Sequence, residues 1–79
     1  MRLDKFLKVS RLIKRRTIAN QVCENGRVSL NNKVAKPSTK VAIGDIIEIT
    51  FGDQISKIKV IDISEHVRKE EAKELYEIV

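Results

Sequence analysis

The sequence predicts one α+β domain, in which two N-terminal helices pack on a small twisted β-sheet and a short C-terminal helix closes the fold. Apolar side chains recur every three or four positions in residues 1–25, which is typical of helices, whereas residues 27–63 alternate β-rich runs with turn residues. The chain has 79 residues, enough for one small hydrophobic core and for no second domain. We therefore expect a single domain over residues 1–79.

The first helix is predicted to begin near Leu3 and to end or bend near Arg11. Its inner face is formed by side chains at positions i, i+3, i+4 and i+7, namely Leu3, Phe6, Leu7 and Ser10. Lys5 and Lys8 fall on the opposite face of this helix. We expect Phe6 to be a core residue and not a stacking platform.

A second helix is predicted from about Arg15 to Asn25. Gly26 ends it, because glycine readily adopts the left-handed conformation that closes helices. Its apolar face comprises Ile18, Ala19, Val22 and Cys23. The free backbone N–H groups at the start of a helix favour phosphate, and this start lies beside three cations, Lys14, Arg15 and Arg16.

The rest of the chain is predicted to form strands, turns and one more helix. Asn31 and Asn32 form a tight hairpin turn, since asparagine tolerates the positive φ that such turns require. The predicted strands lie at residues 27–30, 33–35, 46–51 and 55–63. Residues 68–76 read as a short amphipathic helix whose inner face comprises Ala72, Leu75 and Tyr76.

Charge is distributed unevenly along the chain. Residues 1–40 hold eleven basic and two acidic side chains, and residues 41–79 hold five basic and nine acidic ones, so the two parts carry +9 and −4. Such asymmetry concerns the partners of a protein more than its fold, and it indicates a polyanionic partner for the N-terminal part.

Catalysis is not expected, because the chain offers no nucleophile with a neighbouring base. Cys23 is predicted on a buried helix face and His66 in a solvated loop, and each is the only residue of its type. No metal site and no cofactor are expected.

The acidic side chains of the C-terminal third are expected to be a solvated face, with a surface for a protein partner as the alternative. No membrane span or signal peptide is apparent, so a cytoplasmic location is expected.

The basic N-terminal run favours RNA binding. It contains seven cations opposed only by Asp4, and lysines of the following hairpin extend it: Arg2, Lys5, Lys8, Arg11, Lys14, Arg15, Arg16, Lys33 and Lys36. A solvated charged face is the alternative, and composition alone does not exclude DNA. Because aromatic residues are scarce, recognition of folded RNA by shape and phosphate is expected over base stacking on an aromatic sheet.

Several short motifs in residues 1–50 resemble the RNA-binding domain family named after small-subunit ribosomal protein S4, with its two-helix and hairpin αL motif. They are RLDK at residues 2–5, RTIA at 16–19, NGRV at 25–28, KPS at 36–38 and VAIGDII at 41–47. The N-terminal RLDKFL and the KPS resemble the heat-shock protein fifteen branch. The short tail ending EEAKELYEIV resembles the RqcP group of ribosome-associated quality-control proteins in Gram-positive bacteria.

This resemblance implies a function and a set of partners. Members of that group bind obstructed large ribosomal subunits that carry peptidyl-tRNA, contact large-subunit rRNA and tRNA, and support RqcH in adding an alanine tail to the stalled chain. A monomer is expected. The alternative is a general ribosome-associated RNA-binding protein that recycles free large subunits, like heat-shock protein fifteen.

The resemblance also implies particular RNA-contacting residues, and Arg2, Asp4, Lys5, Arg11 and Arg16 match the family motif. For Asp4 three roles remain open: to accept from an RNA hydroxyl, to orient a neighbouring arginine, or only to occupy the first turn of a helix. The chain departs from the family by having Arg15 before the second helix and Asn31-Asn32 in place of an Asn-Gly turn.

Overall fold

A computed structural model describes residues 1–79 of the chain. Two helices, α1 (Leu3–Val9) and α2 (Arg16–Glu24), precede a five-stranded sheet, and a 3₁₀ helix (Lys69–Leu75) precedes its last strand. The strands are β1 (Val28–Leu30), β2 (Lys33–Val34), β3 (Ile46–Phe51), β4 (Gln54–Val60) and β5 (Tyr76–Ile78). The sheet is entirely antiparallel, with the order β2-β1-β3-β4-β5. The predicted α+β class, with two helices on a small sheet and a short C-terminal helix, is confirmed.

Helix α1 buries the face that its spacing predicts. Leu3, Phe6 and Leu7 are fully buried, and the Ser10 hydroxyl donates to the Leu7 carbonyl over 3.3 Å. The helix ends at Val9, and Arg11 then adopts a left-handed conformation with φ of 61°. This conformation is strained for an arginine, and it reverses the chain close to the predicted end of the helix.

Helix α2 confirms the predicted segment and corrects one residue of its apolar face. Ala19, Val22 and Cys23 are buried, but Ile18 is 42% exposed. The helix is only nine residues long, and Ile18 lies at its third position, in the first turn. Ile18 lies on the same face as Val22, four residues later, and its exposure depends on how the distant elements pack against the first turn of the helix.

The hairpin turn has the predicted chemistry. Asn31 and Asn32 both have positive φ, 51° and 70°, as a type I′ turn between two antiparallel strands requires. The Asn31 side chain also accepts from the backbone N–H of Ile46 over 2.9 Å and donates to Asp45 over 3.1 Å. The turn is thereby tied to the start of β3.

The C-terminal segment differs most from the prediction. The predicted helix over residues 68–76 is a 3₁₀ helix over Lys69–Leu75, and Tyr76 begins β5 instead of lying on a helix face. Ala72 and Leu75 are buried as expected. β4 ends at Val60, three residues before the predicted end of that strand, and β5 pairs with it antiparallel. The β-branched and aromatic side chains of Tyr76–Ile78 favour a strand once an open edge is available.

A single hydrophobic core lies between the helix pair and the sheet. It joins side chains from both helices, from strands β1, β3 and β4, and from the 3₁₀ helix, so the whole chain contributes to it. Helices α1 and α2 are held side by side on this core. The polar outer surfaces of the two helices therefore lie together at one side of the molecule.

Candidate nucleic-acid interface

Asp4 and two arginines form a charged cluster where α1 meets α2. Asp4 is buried with 3% of its side chain exposed, and Arg2 contacts both of its carboxylate oxygens, through Nε and Nη2, at 3.3 Å. Arg16 Nη2 lies 3.4 Å from Oδ1 of the same carboxylate, and Asn20 Nδ2 donates to Oδ2 over 3.4 Å. One buried carboxylate thus holds two guanidinium groups in place.

The backbone brings these side chains together. The N–H groups of Leu3 and Asp4 donate to the carbonyls of Thr39 and Pro37, at 2.8 and 3.1 Å, which fixes the start of α1 against residues 36–41. Arg16 opens α2, and Asn20 lies one turn later on the same helix face. Docking of the two helices on the core then places α2 beside Asp4.

The electrostatics of the cluster keep Asp4 ionised. Burial by itself raises the pKa of a carboxyl group, but the hydrogen bond from Asn20 and the charges of Arg16 and Arg2 outweigh it, so the pKa of Asp4 lies below its ordinary value of 3.8. The carboxylate is therefore fully charged at neutral pH.

The two arginines remain available to a ligand. The side chains of Arg2 and Arg16 are 50% and 48% exposed, and each guanidinium has five N–H donors, of which Asp4 engages at most two. A planar guanidinium with free donors suits two parallel hydrogen bonds to a phosphate. Of the three roles that the sequence left open for Asp4, this geometry matches the orientation of neighbouring arginines.

A second basic group lies along the end of α1. Lys8, Arg11 and Lys14 line a small cleft of about 170 Å³, together with Glu65 of the segment that follows β4. Glu65 pairs with Lys5 at 3.2 Å and with none of the three cations in the cleft. Lys5 is thus partly neutralised by the acidic half of the chain.

The structure does not bring all nine predicted cations to one site. Lys36 lines a groove together with Arg2, whereas Arg15 and Lys33 are exposed and line neither this groove nor the cleft around Arg11. No side chain caps the start of α2, so its first backbone N–H groups remain free beside Arg15. The role of each of the ten predicted RNA-contacting residues, Asp4 included, remains a proposal.

Sequence reasoning missed the place of Asn20 in the charged cluster. Its spacing of four residues from Arg16 on a helix was the available signal, because residues at i and i+4 lie side by side. The contact of Glu65 with Lys5 had no comparable signal, since 60 positions separate the two residues and the intervening strands determine where Glu65 lies.

The two side chains considered for nucleophilic chemistry lie apart from these clusters. Cys23 is buried in the core, and burial together with the Asp4 charge raises the pKa of its thiol to about 11, which disfavours the reactive thiolate. His66 is exposed in the loop before the 3₁₀ helix.

No helix has both the length and the apolar composition of a membrane span.

The N-terminal part of the chain matches one family of domains. The sequence pattern of the S4 domain matches residues 1–47. The chain therefore belongs to the S4 domain family, as the motifs in its N-terminal part predict.

Relatives that align over nearly the whole chain narrow the comparison. The RQC P-site tRNA stabilizing factor of Halalkalibacterium halodurans is 56% identical to it, over 99% of this chain and 89% of that protein. The heat shock protein 15 homologue of Haemophilus influenzae is 38% identical, over 98% of this chain and 60% of that protein. The structure described as trimeric Vibrio cholerae heat shock protein 15 superimposes with a TM-score of 0.92 at 38% identity, covering 100% of this chain and 81% of that one. The sequence is thus more similar to the stabilizing factor than to either heat-shock protein.

Proposed function

We propose that this protein is a cytoplasmic RNA-binding factor of ribosome-associated quality control. It binds obstructed large ribosomal subunits that carry peptidyl-tRNA, contacts rRNA and tRNA, and supports RqcH in adding an alanine tail to the stalled chain. It acts by binding and positioning, without catalysis of its own, and as a monomer. The similarity to a protein named RQC P-site tRNA stabilizing factor, at 56% identity along 99% of the chain, supports this function.

The observation that carries the proposal is the pair of arginines held by Asp4. Folded RNA presents phosphates at fixed spacing, and arginines whose positions are set before binding lose less side-chain entropy when they contact them. The cleft of Lys8, Arg11 and Lys14 lies along the same helix pair and offers a second set of unpaired cations. Two separate groups of cations suit a protein that contacts two RNA molecules.

The test is co-sedimentation of the purified protein with large ribosomal subunits that are either empty or loaded with peptidyl-tRNA. Preference for the loaded subunit, together with loss of alanine tailing in a reconstituted reaction with RqcH when the protein is omitted, is the expected result. Equal binding to both kinds of subunit and unchanged tailing would favour the alternative, a general factor that recycles free large subunits.

A further inference from the structure

A groove of about 600 Å³ runs between α2 and residues 34–38, next to the Arg2–Asp4–Arg16 cluster. One wall is the face of α2 that carries Asn20, Cys23 and Glu24, and residues 34–38 and Arg2 form the other. This volume lies within the range of small-molecule sites in proteins. The groove is therefore large enough for a nucleotide that has left its stack.

Asn20 and Glu24 give the α2 wall a particular hydrogen-bonding character. Asn20 directs its amide N–H₂ to the Asp4 carboxylate, over 3.4 Å, because a carboxylate is an acceptor only. Its amide oxygen has no partner within the protein. Glu24 is exposed, with no cation within 4.0 Å of its carboxylate and no hydrogen bond from another side chain or from the backbone. The two residues are four apart on α2, so the wall presents two sets of acceptors side by side, the Asn20 amide oxygen and the Glu24 carboxylate.

The opposite wall is positively charged. Arg2 and Lys36 both line the groove, and neither cation is neutralised completely: Arg2 shares Asp4 with Arg16, and Lys36 has no carboxylate within 4.0 Å. Val34 and Ala35 add an apolar portion between the polar groups. The wall with Arg2 and Lys36 thus suits a phosphate, and the α2 wall suits a ligand with hydrogen-bond donors.

Glu24 is hard to explain by phosphate binding alone. Residues 1–40 contain only two acidic side chains, and Asp4 is accounted for by its three partners. An unpaired carboxylate on a surface that meets phosphate opposes binding, unless it accepts from another part of the RNA. RNA has two kinds of hydrogen-bond donor near its phosphates, the N–H groups of the bases and the 2′-hydroxyl, and both are uncharged.

We propose that this groove binds an unstacked guanine nucleotide of the bound RNA, with Glu24 accepting from the Watson–Crick edge of the base. Guanine presents two adjacent donors, N1–H and the N2 amino group, which match the two oxygens of one carboxylate. Adenine and cytosine place a ring-nitrogen acceptor beside their amino group, and uracil has one N–H between two carbonyls. Because both oxygens of the Glu24 carboxylate are acceptors, this residue favours guanine, while Arg2 and Lys36 hold the phosphate of the nucleotide.

This inference rests on the proposed RNA-binding function, and nucleotide titrations of the ¹⁵N-labelled full-length chain test it. The probes are GMP, AMP, CMP and UMP, with inorganic phosphate as the reference for binding through charge alone. We expect the amide signals of Asn20, Gly26 and Ala35 to shift with GMP at a Kd at least about fivefold lower than with the other three nucleotides, the lower end of what a two-bond base contact contributes.

Two variants with the same change of charge separate base recognition from general electrostatics. Glu24→Gln is expected to abolish the preference for GMP, because an amide replaces one acceptor by a donor. Glu74→Gln removes an exposed, unpaired carboxylate of the 3₁₀ helix and is expected to keep the preference. Both positions are exposed, so both variants are expected to fold.

Equal affinity for the four nucleotides, an equal response to inorganic phosphate, absence of shifts at the groove, or a GMP preference that persists in Glu24→Gln would each overturn the inference. Binding of the wild-type chain to large ribosomal subunits is measured in parallel. Subunit binding without a guanine preference removes only the guanine site. Absence of subunit binding removes the proposed function itself.

Discussion

At the scale of single residues, Asp4 determines where the guanidinium groups of Arg2 and Arg16 lie. It is buried, it is contacted by Arg2, Arg16 and Asn20, and its pKa is lowered by these partners. The buried carboxylate is stabilising because neither Arg2 nor Arg16 has another acidic partner within 4.0 Å. Removal of its charge leaves the two arginines without a counter-charge, and this state is less stable than the one with ionised Asp4.

We expect Asp4→Asn to lower the free energy of unfolding at pH 7 by about 1–2 kcal/mol, the range for hydrogen bonds to charged groups whose partners are half exposed. The unfolded carboxyl titrates near 3.8 and the folded one below that. The stabilisation by ionised Asp4 is therefore complete above pH 3.8 and is lost as the pH falls through the folded pKa.

Urea unfolding of the wild type and Asp4→Asn at a series of pH values measures this. The difference between the two proteins is expected to shrink below pH 3.8. A difference that stays constant into strong acid would mean that Asp4 contributes through packing instead of charge.

Cys23 offers a second residue-scale prediction. Because burial raises the pKa of its thiol to about 11, modification by iodoacetamide at neutral pH is expected to be slow in the folded protein and to accelerate in denaturant, where the thiol is exposed and more readily ionised. The labelling rate, followed by mass spectrometry, measures this. Equal rates in native buffer and in urea would contradict the burial of Cys23.

At the scale of elements, the hairpin turn is a place where local chemistry alone was sufficient. Asparagine tolerates positive φ, and both turn residues adopt it. Asn31 also holds the start of β3 through its side chain, whereas the structure gives Asn32 no side-chain contact of this kind.

We therefore expect Asn32→Gly to raise the free energy of unfolding by about 0.5 kcal/mol, since glycine adopts positive φ without steric cost. Asn31→Gly is the matched control. It relieves the same backbone strain but loses two hydrogen bonds, so it is expected to lower the free energy of unfolding by about 1 kcal/mol. Thermal unfolding of both variants gives the comparison, and equal effects of the two changes would refute the role assigned to Asn31.

The C-terminal segment shows what local chemistry could not supply. Residues 69–75 have the composition of an α-helix but form a 3₁₀ helix. Tyr76 then begins β5, because the edge of β4 beside it would otherwise be unpaired. That edge is created by strands far away in sequence. The exposure of Ile18 and the contact between Lys5 and Glu65 have the same kind of cause, since each depends on how distant elements pack.

The same packing predicts what the C-terminal segment does for stability. Leu75 is 1% exposed within the core, and its neighbour Glu74 is exposed. We expect Leu75→Ala to lower the free energy of unfolding by about 2–5 kcal/mol, and Glu74→Ala to change it by less than about 0.5 kcal/mol. Deletion of residues 65–79 is accordingly expected to unfold the domain, so point variants of exposed acids are the better test of a partner surface. A folded deletion variant would show that the core does not need Leu75.

At the scale of the whole molecule, the uneven charge of the sequence becomes a division of surfaces. The cations of residues 1–40 lie on and beside the helix pair, and six of the eleven acids lie in residues 62–79, the segment that contains the 3₁₀ helix and β5. The distribution of charge along the sequence predicted this division, and the periodicity of apolar residues together with the turn residues predicted the fold class. Neither predicted that the cations form two groups, one held by Asp4 and one beside Glu65, because that separation follows from the docking of α1, α2 and the segment after β4.

Arg16→Ala tests whether the arginines held by Asp4 contact RNA. The measurement is the affinity of each protein for large ribosomal subunits loaded with peptidyl-tRNA, over a series of salt concentrations. The control is Arg68→Ala, which removes an arginine with an 81% exposed side chain at the start of the 3₁₀ helix. We predict that Arg16→Ala weakens binding by about 1–3 kcal/mol and lowers the slope of log affinity against log salt by about one, with Arg68→Ala close to the wild type. Equal affinities and slopes for the three proteins would place the RNA elsewhere on the molecule.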